Sequence, residues 1–90
     1  LVDVRDTAAY VEAHIAGAIL VPLGEIPTAA DQLAARDRTV ITYCSCPAEE
    51  TSIAAAVELI SRGLDDVLVL RGGIRAWAVA GYPLKSGARP

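Results

Sequence analysis

The side chains of this chain that could do covalent chemistry sit together. The stretch Tyr43-Cys44-Ser45-Cys46-Pro47-Ala48-Glu49-Glu50-Thr51-Ser52 holds both of its cysteines. It follows the apolar, β-type run Thr39-Val40-Ile41-Thr42-Tyr43 and leads into a helix start signal at Thr51-Ser52. At the carboxyl end of a strand, in a tight loop feeding a helix N-terminus, backbone N–H groups and the helix dipole favour a thiolate. Cys44 is thus a candidate nucleophile, with Cys46 as the alternative. The competing reading is two small buried hydrophobes, a common fate of cysteine.

The spacing excludes other chemistry. Cysteines two positions apart close almost no loop, so a bridge between them would constrain the unfolded chain little. Both thiols are therefore expected to be reduced. Two cysteines and one distant histidine fall short of the four ligands of a structural zinc site, so no metal is expected. With net charge −3 and no run of Lys or Arg, nucleic acid is not an expected partner.

The elements that must position the loop follow from patterning. Ninety residues, 53% of them apolar, suffice for one small packed domain. No apolar stretch approaches the roughly 20 residues needed to span a bilayer. A soluble domain in a reducing, cytoplasmic setting is expected, whatever the location of its parent protein. Leu1 to Val4 reads as a strand, and Asp6-Thr7 supply capping side chains for a short helix ending near His14. Ile19-Leu20-Val21 is a second strand closed by Pro22. Thr28 caps a helix to about Ala35, with Ala30, Leu33 and Ala34 facing inward. Thr39 to Tyr43 is the third strand. A helix from Thr51 to about Arg62 turns Ile53, Ala56, Val57, Ile60 and Leu64 toward the core and stops at Gly63. Val67 to Leu70 is the fourth strand, and after Gly72-Gly73 a last short helix spans Ile74 to Ala80. The domain is expected over residues 1–84, with a flexible tail over 85–90.

Strands alternating with helices over short connections predict an α/β fold, with a central parallel sheet and helices on both faces. Sites in such sheets lie at the carboxyl ends of the strands. Here those ends fall at Arg5, Pro22, Cys44 and Arg71, so the cysteine loop is placed where sites occur.

In this order the motifs become familiar: the chain resembles a rhodanese-like domain of the sulfurtransferase family. Leu1-Val2-Asp3-Val4-Arg5 resembles the opening strand motif. Tyr10, with Ala13-His14-Ile15-Ala16-Gly17-Ala18-Ile19 and Pro22, is similar to the family's Y-x-x-x-H-I-P-G-A stretch. Tyr43-Cys44 resembles the strand end that bears the catalytic cysteine. Leu70-Arg71-Gly72-Gly73-Ile74-Arg75-Ala76-Trp77 and Gly81-Tyr82-Pro83 resemble the closing L-x-G-G-x-x-A-W…G-x-P signature.

The resemblance implies a three-layer rhodanese-like fold, with the family's N-terminal helix and first strand lying outside this chain. The start in mid-strand, without Met, fits a piece of a longer polypeptide. The implied activity is transfer of a sulfane sulfur, from thiosulfate or a persulfide to a thiol or cyanide-type acceptor, through a cysteine persulfide. No cofactor is implied. The partners are a small sulfur donor and a thiol acceptor, with fusion to or docking on another domain also compatible. The implied site comprises Cys44 (or Cys46) as nucleophile, Ser45, Cys46, Pro47, Ala48, Glu49, Glu50 and Thr51 around the substrate, and Asp3 and Arg5 in support.

The loop departs from the family pattern. A common form, C-R-S-G-N-R-S, sets the capping serine six positions after the cysteine. Here that distance is eight from Cys44 to Ser52 and six from Cys46. The strand end favours Cys44, because it fixes the first loop residue more tightly than a long loop fixes the third. The helix start favours Cys46. Cys46 has three readings, as a resolving thiol, a displaced nucleophile or a packing residue, and burial of free cysteine favours the last over either of the others. Glu49 and Glu50 replace the expected cation, and no Arg or Lys lies between Cys44 and Arg62. They suit a first helical turn, and they also suit a donor less anionic than thiosulfate. A phosphatase reading fails on the missing loop arginine. A non-catalytic interaction module is the rival to the enzyme. His14 reads as a packing or helix-end residue, Trp77 as core, and Gly72-Gly73 as a tight turn near the cysteine loop.

Overall fold

The computed structural model describes residues 1–45 and 49–90, so Cys46, Pro47 and Ala48 lie outside the described residues. Four parallel strands form the central sheet in the order β3-β1-β4-β5. They are β1 (Val2–Asp3), β3 (Ile19–Leu20), β4 (Val40–Tyr43) and β5 (Val67–Val69). The helices are α1 (Thr7–Glu12), α2 (Ile26–Ala35), α3 (Glu50–Ser61) and α4 (Gly73–Val79), with a 3₁₀ turn at Leu23–Glu25. This is the expected α/β architecture, with all four sheet strands where the sequence puts them.

Strand alternation builds the layers. Along β4, Val40 and the following Cys44 join the cluster that holds Ile26, Ala30 and Leu33 of α2 and Ala55 and Leu59 of α3. Tyr43 points the other way and packs with Ile15, Ala18 and Ile74 of α4. Thr42, buried among apolar neighbours on the α3 side, donates its hydroxyl to Ser52 O (2.8 Å). Leu59 and Ile26 are wholly buried, and each contributes about 1.5–3 kcal/mol by leaving water. The short β1 sits between β3 and β4, pairing Val2 with Ile19 and Thr42, and Asp3 with Leu20 and Tyr43.

Four local expectations are corrected. First, α2 begins at Ile26, two residues before Thr28, with Pro27 in its first turn; Ile26 joins its buried face and Ala34 is exposed. A fixed proline φ is suited to the first helical turn, where its missing N–H costs nothing. Second, α3 buries Ser52, Ala55, Ala56 and Leu59, while Ile53, Val57 and Ile60 are exposed. Its sequence is apolar almost all round, so periodicity alone did not single out the inward face. Third, α3 starts at Glu50, with Glu49 at the N-cap and no side-chain cap bond.

Fourth, residues expected as a flexible tail form structure. Leu84–Lys85 is a strand, β6, antiparallel to β2 (His14–Ile15). Beyond it, Gly87 N donates to Val11 O (2.8 Å), Gly17 N to Pro90 O (3.2 Å), and Ser86 Oγ to Glu12 O (2.9 Å). Two-residue strands carry no readable period, and their bonds are to backbone partners some 70 residues away, as the 74-residue separation of Ser86 from Glu12 shows.

Candidate active site

Cys44 follows the last residue of β4 and is buried. Its thiol donates to Ser52 Oγ (3.5 Å), in the first turn of α3. The Ser52 hydroxyl in turn donates to the Glu49 carbonyl (3.0 Å), and Ser52 is itself fully buried. The loop is thus tied from its first described residue to its last through one hydroxyl.

A second tie comes from the turn between β5 and α4. Ile74 N donates to Cys44 O (3.1 Å). Gly73 has φ +58°, and a Cβ there would stand 1.9 Å from Cys44 O. Only glycine combines that left-handed backbone with so close an approach. Gly72 N donates to a carboxylate oxygen of Glu49. Glu49, half-buried, has φ 57° and ψ 26°, a left-handed conformation disfavoured for any residue with a side chain.

Behind Cys44, Tyr43 anchors the strand end. Its hydroxyl donates to Asp3 Oδ2 (2.8 Å) and accepts from Ile15 N (3.1 Å). Asp3 is fully buried and also receives Arg5 through its backbone N–H (2.9 Å), Nε (3.0 Å) and Nη2 (2.8 Å). Arg5 Nη2 donates further to Ala13 O (2.6 Å), joining β1 to the α1–β2 junction. Burial pushes the Tyr43 phenol well above the ordinary tyrosine range, and the Asp3 carboxylate adds to the rise; Ile15 N and Arg5 oppose it. Burial alone would lower the Arg5 pKa, but the hydrogen bond and charge of Asp3 raise it overall.

His14 lies in β2 rather than at a helix end. Its ring stacks on Tyr10 at 3.8 Å, and Nδ1, facing the Tyr10 carbonyl at 2.8 Å, must carry the proton. Its Nε2 is buried without a hydrogen-bond partner among the described residues. This is a packing histidine. Trp77 is half-buried, with Nε1 donating to Pro83 O (2.8 Å).

Of the sequence-derived site, the structure brings together Cys44 and Glu49. Ser45 and Glu50 are exposed beside them, and Thr51 is half-buried in α3. Cys46, Pro47 and Ala48 are outside the described residues. Asp3 and Arg5 brace Tyr43 and the α1–β2 junction. Ser52, Tyr43 and Gly73 emerge as direct neighbours of the Cys44 backbone or sulfur. The signal for Ser52 was its place two residues into the helix after the loop. No group of three or more metal-ligating side chains occurs among the described residues, and no described helix is long and apolar enough to cross a membrane.

A parallel α/β sheet with a cysteine at the carboxyl end of a central strand, closed by a Gly-Gly turn, defines the class. The sequence profile of the rhodanese-like domain matches residues 1–80, and the chain belongs to that family. It is 38% identical over 84 residues to a sulfurtransferase of Allochromatium vinosum, covering 93% of this chain and 76% of that protein. It is 37% identical to the HTH-type transcriptional regulator Rv0324 of Mycobacterium tuberculosis, covering 98% of this chain but only 38% of the regulator. The crystal structure of the Rhodanese_3 like domain from the Anabaena Alr3790 protein superposes with a TM-score of 0.87 at 29% identity, covering 99% of this chain and 93% of that one.

Proposed function

We propose that this domain is a sulfurtransferase in which Cys44 carries the transferred sulfur as a persulfide. The observation that carries the reading is the setting of Cys44: at the end of β4, with its sulfur on the Ser52 hydroxyl and its carbonyl clasped by the Gly72–Ile74 turn.

The Cys44 thiolate attacks the sulfane sulfur of a persulfide or of thiosulfate. One S–S bond forms, the donor's S–S or S–SO₃ bond breaks, and a thiolate or sulfite leaves with the electron pair. Attack on the outer sulfur by an acceptor thiolate or cyanide then returns Cys44 as thiolate. Splitting the transfer this way replaces one difficult step by two easier ones. The Ser52 hydroxyl accepts from the thiol and, by rotating off Glu49 O, donates to the sulfur when it is anionic. The chemistry suits a reducing, cytoplasmic compartment, and the domain serves small donors and thiol acceptors either alone or within a larger chain.

The test is mass spectrometry after incubation with thiosulfate or a low-molecular-weight persulfide. An added mass of one sulfur atom is expected, persisting in Cys46→Ser and absent in Cys44→Ser. No adduct from any donor overturns the reading. The second reading, a non-catalytic docking module, draws support from the relative named as a transcriptional regulator; that same null result would favour it.

A further inference from the structure

We propose that Glu49 is a specificity-determining residue, whose carboxylate, held on the Gly72 N–H beside Cys44, selects sulfur donors of low charge over dianions. The inference rests on the sulfurtransferase reading of Cys44 and names the class of donor for that same site.

Glu49 reaches Cys44 from two sides. Its carbonyl holds the Ser52 hydroxyl at 3.0 Å, and that hydroxyl is the partner of the Cys44 sulfur. Its carboxylate takes the N–H of Gly72, one residue from the glycine that packs on Cys44 O. Backbone N–H groups in such turns are the donors with which a protein otherwise receives an anion. Here one of them is already occupied by an internal carboxylate. A dianionic donor therefore finds a donor group taken and a negative charge in its place.

The arrangement is held in place by the fold. Glu49 keeps a left-handed backbone because its carbonyl and its carboxylate are both engaged, which fixes the side chain toward the turn. Two cations are committed elsewhere, Arg5 to the buried Asp3 and Arg62 to Glu58 at the far end of α3. Arg71, just before the turn, is exposed.

The experiment compares Glu49 with Glu49→Gln in a Cys46→Ser background, where Cys44 is the remaining thiol. Alkylation of Cys44 by anionic iodoacetate and by neutral iodoacetamide is followed by mass spectrometry. Any change in access or thiol reactivity affects both reagents and cancels in their rate ratio, leaving the charge. Glutamine keeps an acceptor for Gly72 N–H while removing that charge. The iodoacetate-to-iodoacetamide ratio is expected to rise by about tenfold at low salt. A rise smaller than about threefold overturns the proposal. In the same variant, kcat/KM for thiosulfate relative to a low-molecular-weight persulfide is expected to rise in parallel. If wild-type protein takes sulfur from neither donor, the sulfurtransferase reading falls, and the alkylation ratio still decides what Glu49 does.

Discussion

Adjacent residues at the end of β4 are held by opposite means. Tyr43 is fixed by a buried ionic network, in which one phenol, one carboxylate and one guanidinium tie β1, β2 and β4 together. Cys44 is held by the Ser52 hydroxyl at its sulfur and by the Ile74 N–H of the β5–α4 turn at its carbonyl. The first arrangement is costly to disturb and sets the strand end. The second sets a neutral hydroxyl on the sulfur, one side-chain bond from the solvent-facing loop. On the proposed reading of Cys44 as nucleophile, this division lets a neighbour fix its position while the hydroxyl on its sulfur reorients as charge develops.

The comparison breaks most visibly at Asp3. Asp3→Ala leaves Arg5 and the Tyr43 hydroxyl without their buried partner, and a loss of about 3–5 kcal/mol is expected in urea unfolding. Next comes Gly73→Ala, on the Cys44 side. The added Cβ meets Cys44 O on a left-handed backbone, so about 2–5 kcal/mol should be lost, and sulfur loading should fall with it. A loss of stability with loading intact would show that the turn does not position Cys44.

Tyr43→Phe removes one hydroxyl from the network and is expected to cost about 1–3 kcal/mol at neutral pH. Its pH dependence sharpens the comparison. Because the folded state raises the Tyr43 pKa, the native protein holds that proton more tightly than the unfolded chain. The contribution is complete below the ordinary tyrosine pKa and is lost as pH rises above about 10. Wild-type stability should therefore decline on that alkaline limb, and the variant should decline less steeply. Tyr10, raised in the same direction by burial and then by Asp3, keeps part of the slope.

Ser52→Ala is the smaller change on the Cys44 side. About 1 kcal/mol of stability is expected to go, while the rate of persulfide formation drops by about tenfold if the hydroxyl serves the sulfur anion. Smallest of all, Val57→Ser on the exposed face of α3 should shift stability by less than about 0.5 kcal/mol. A larger loss would mean that this face is covered in solution.

Much of this was legible beforehand. The sheet strands announced themselves as apolar runs between turn residues, and Cys44 fell at the end of one of them. The Gly72-Gly73 pair lay near the cysteine loop as its motif implied. What escaped had physical reasons. In α3, Ala55 and Leu59 compete with Ile53, Val57 and Ile60 for the inward face, and only the sheet decides between them. Strands β2 and β6 are too short to show alternation. The bond from Gly72 to Glu49 spans 23 residues and depends on a left-handed residue that composition gives no reason to place at a glutamate.

The central position of β1 also sets a timetable. Its Asp3 waits for Tyr43, 40 residues later in the chain, before its carboxylate has a phenol to hold. At ordinary rates of synthesis that delay is roughly 2–8 s, during which β1 and then its neighbour β3 are made while β4 is still incomplete. The site around Cys44 therefore cannot mature in the order in which its residues are written: the strand that anchors it emerges early, and the glycine turn that closes it emerges last.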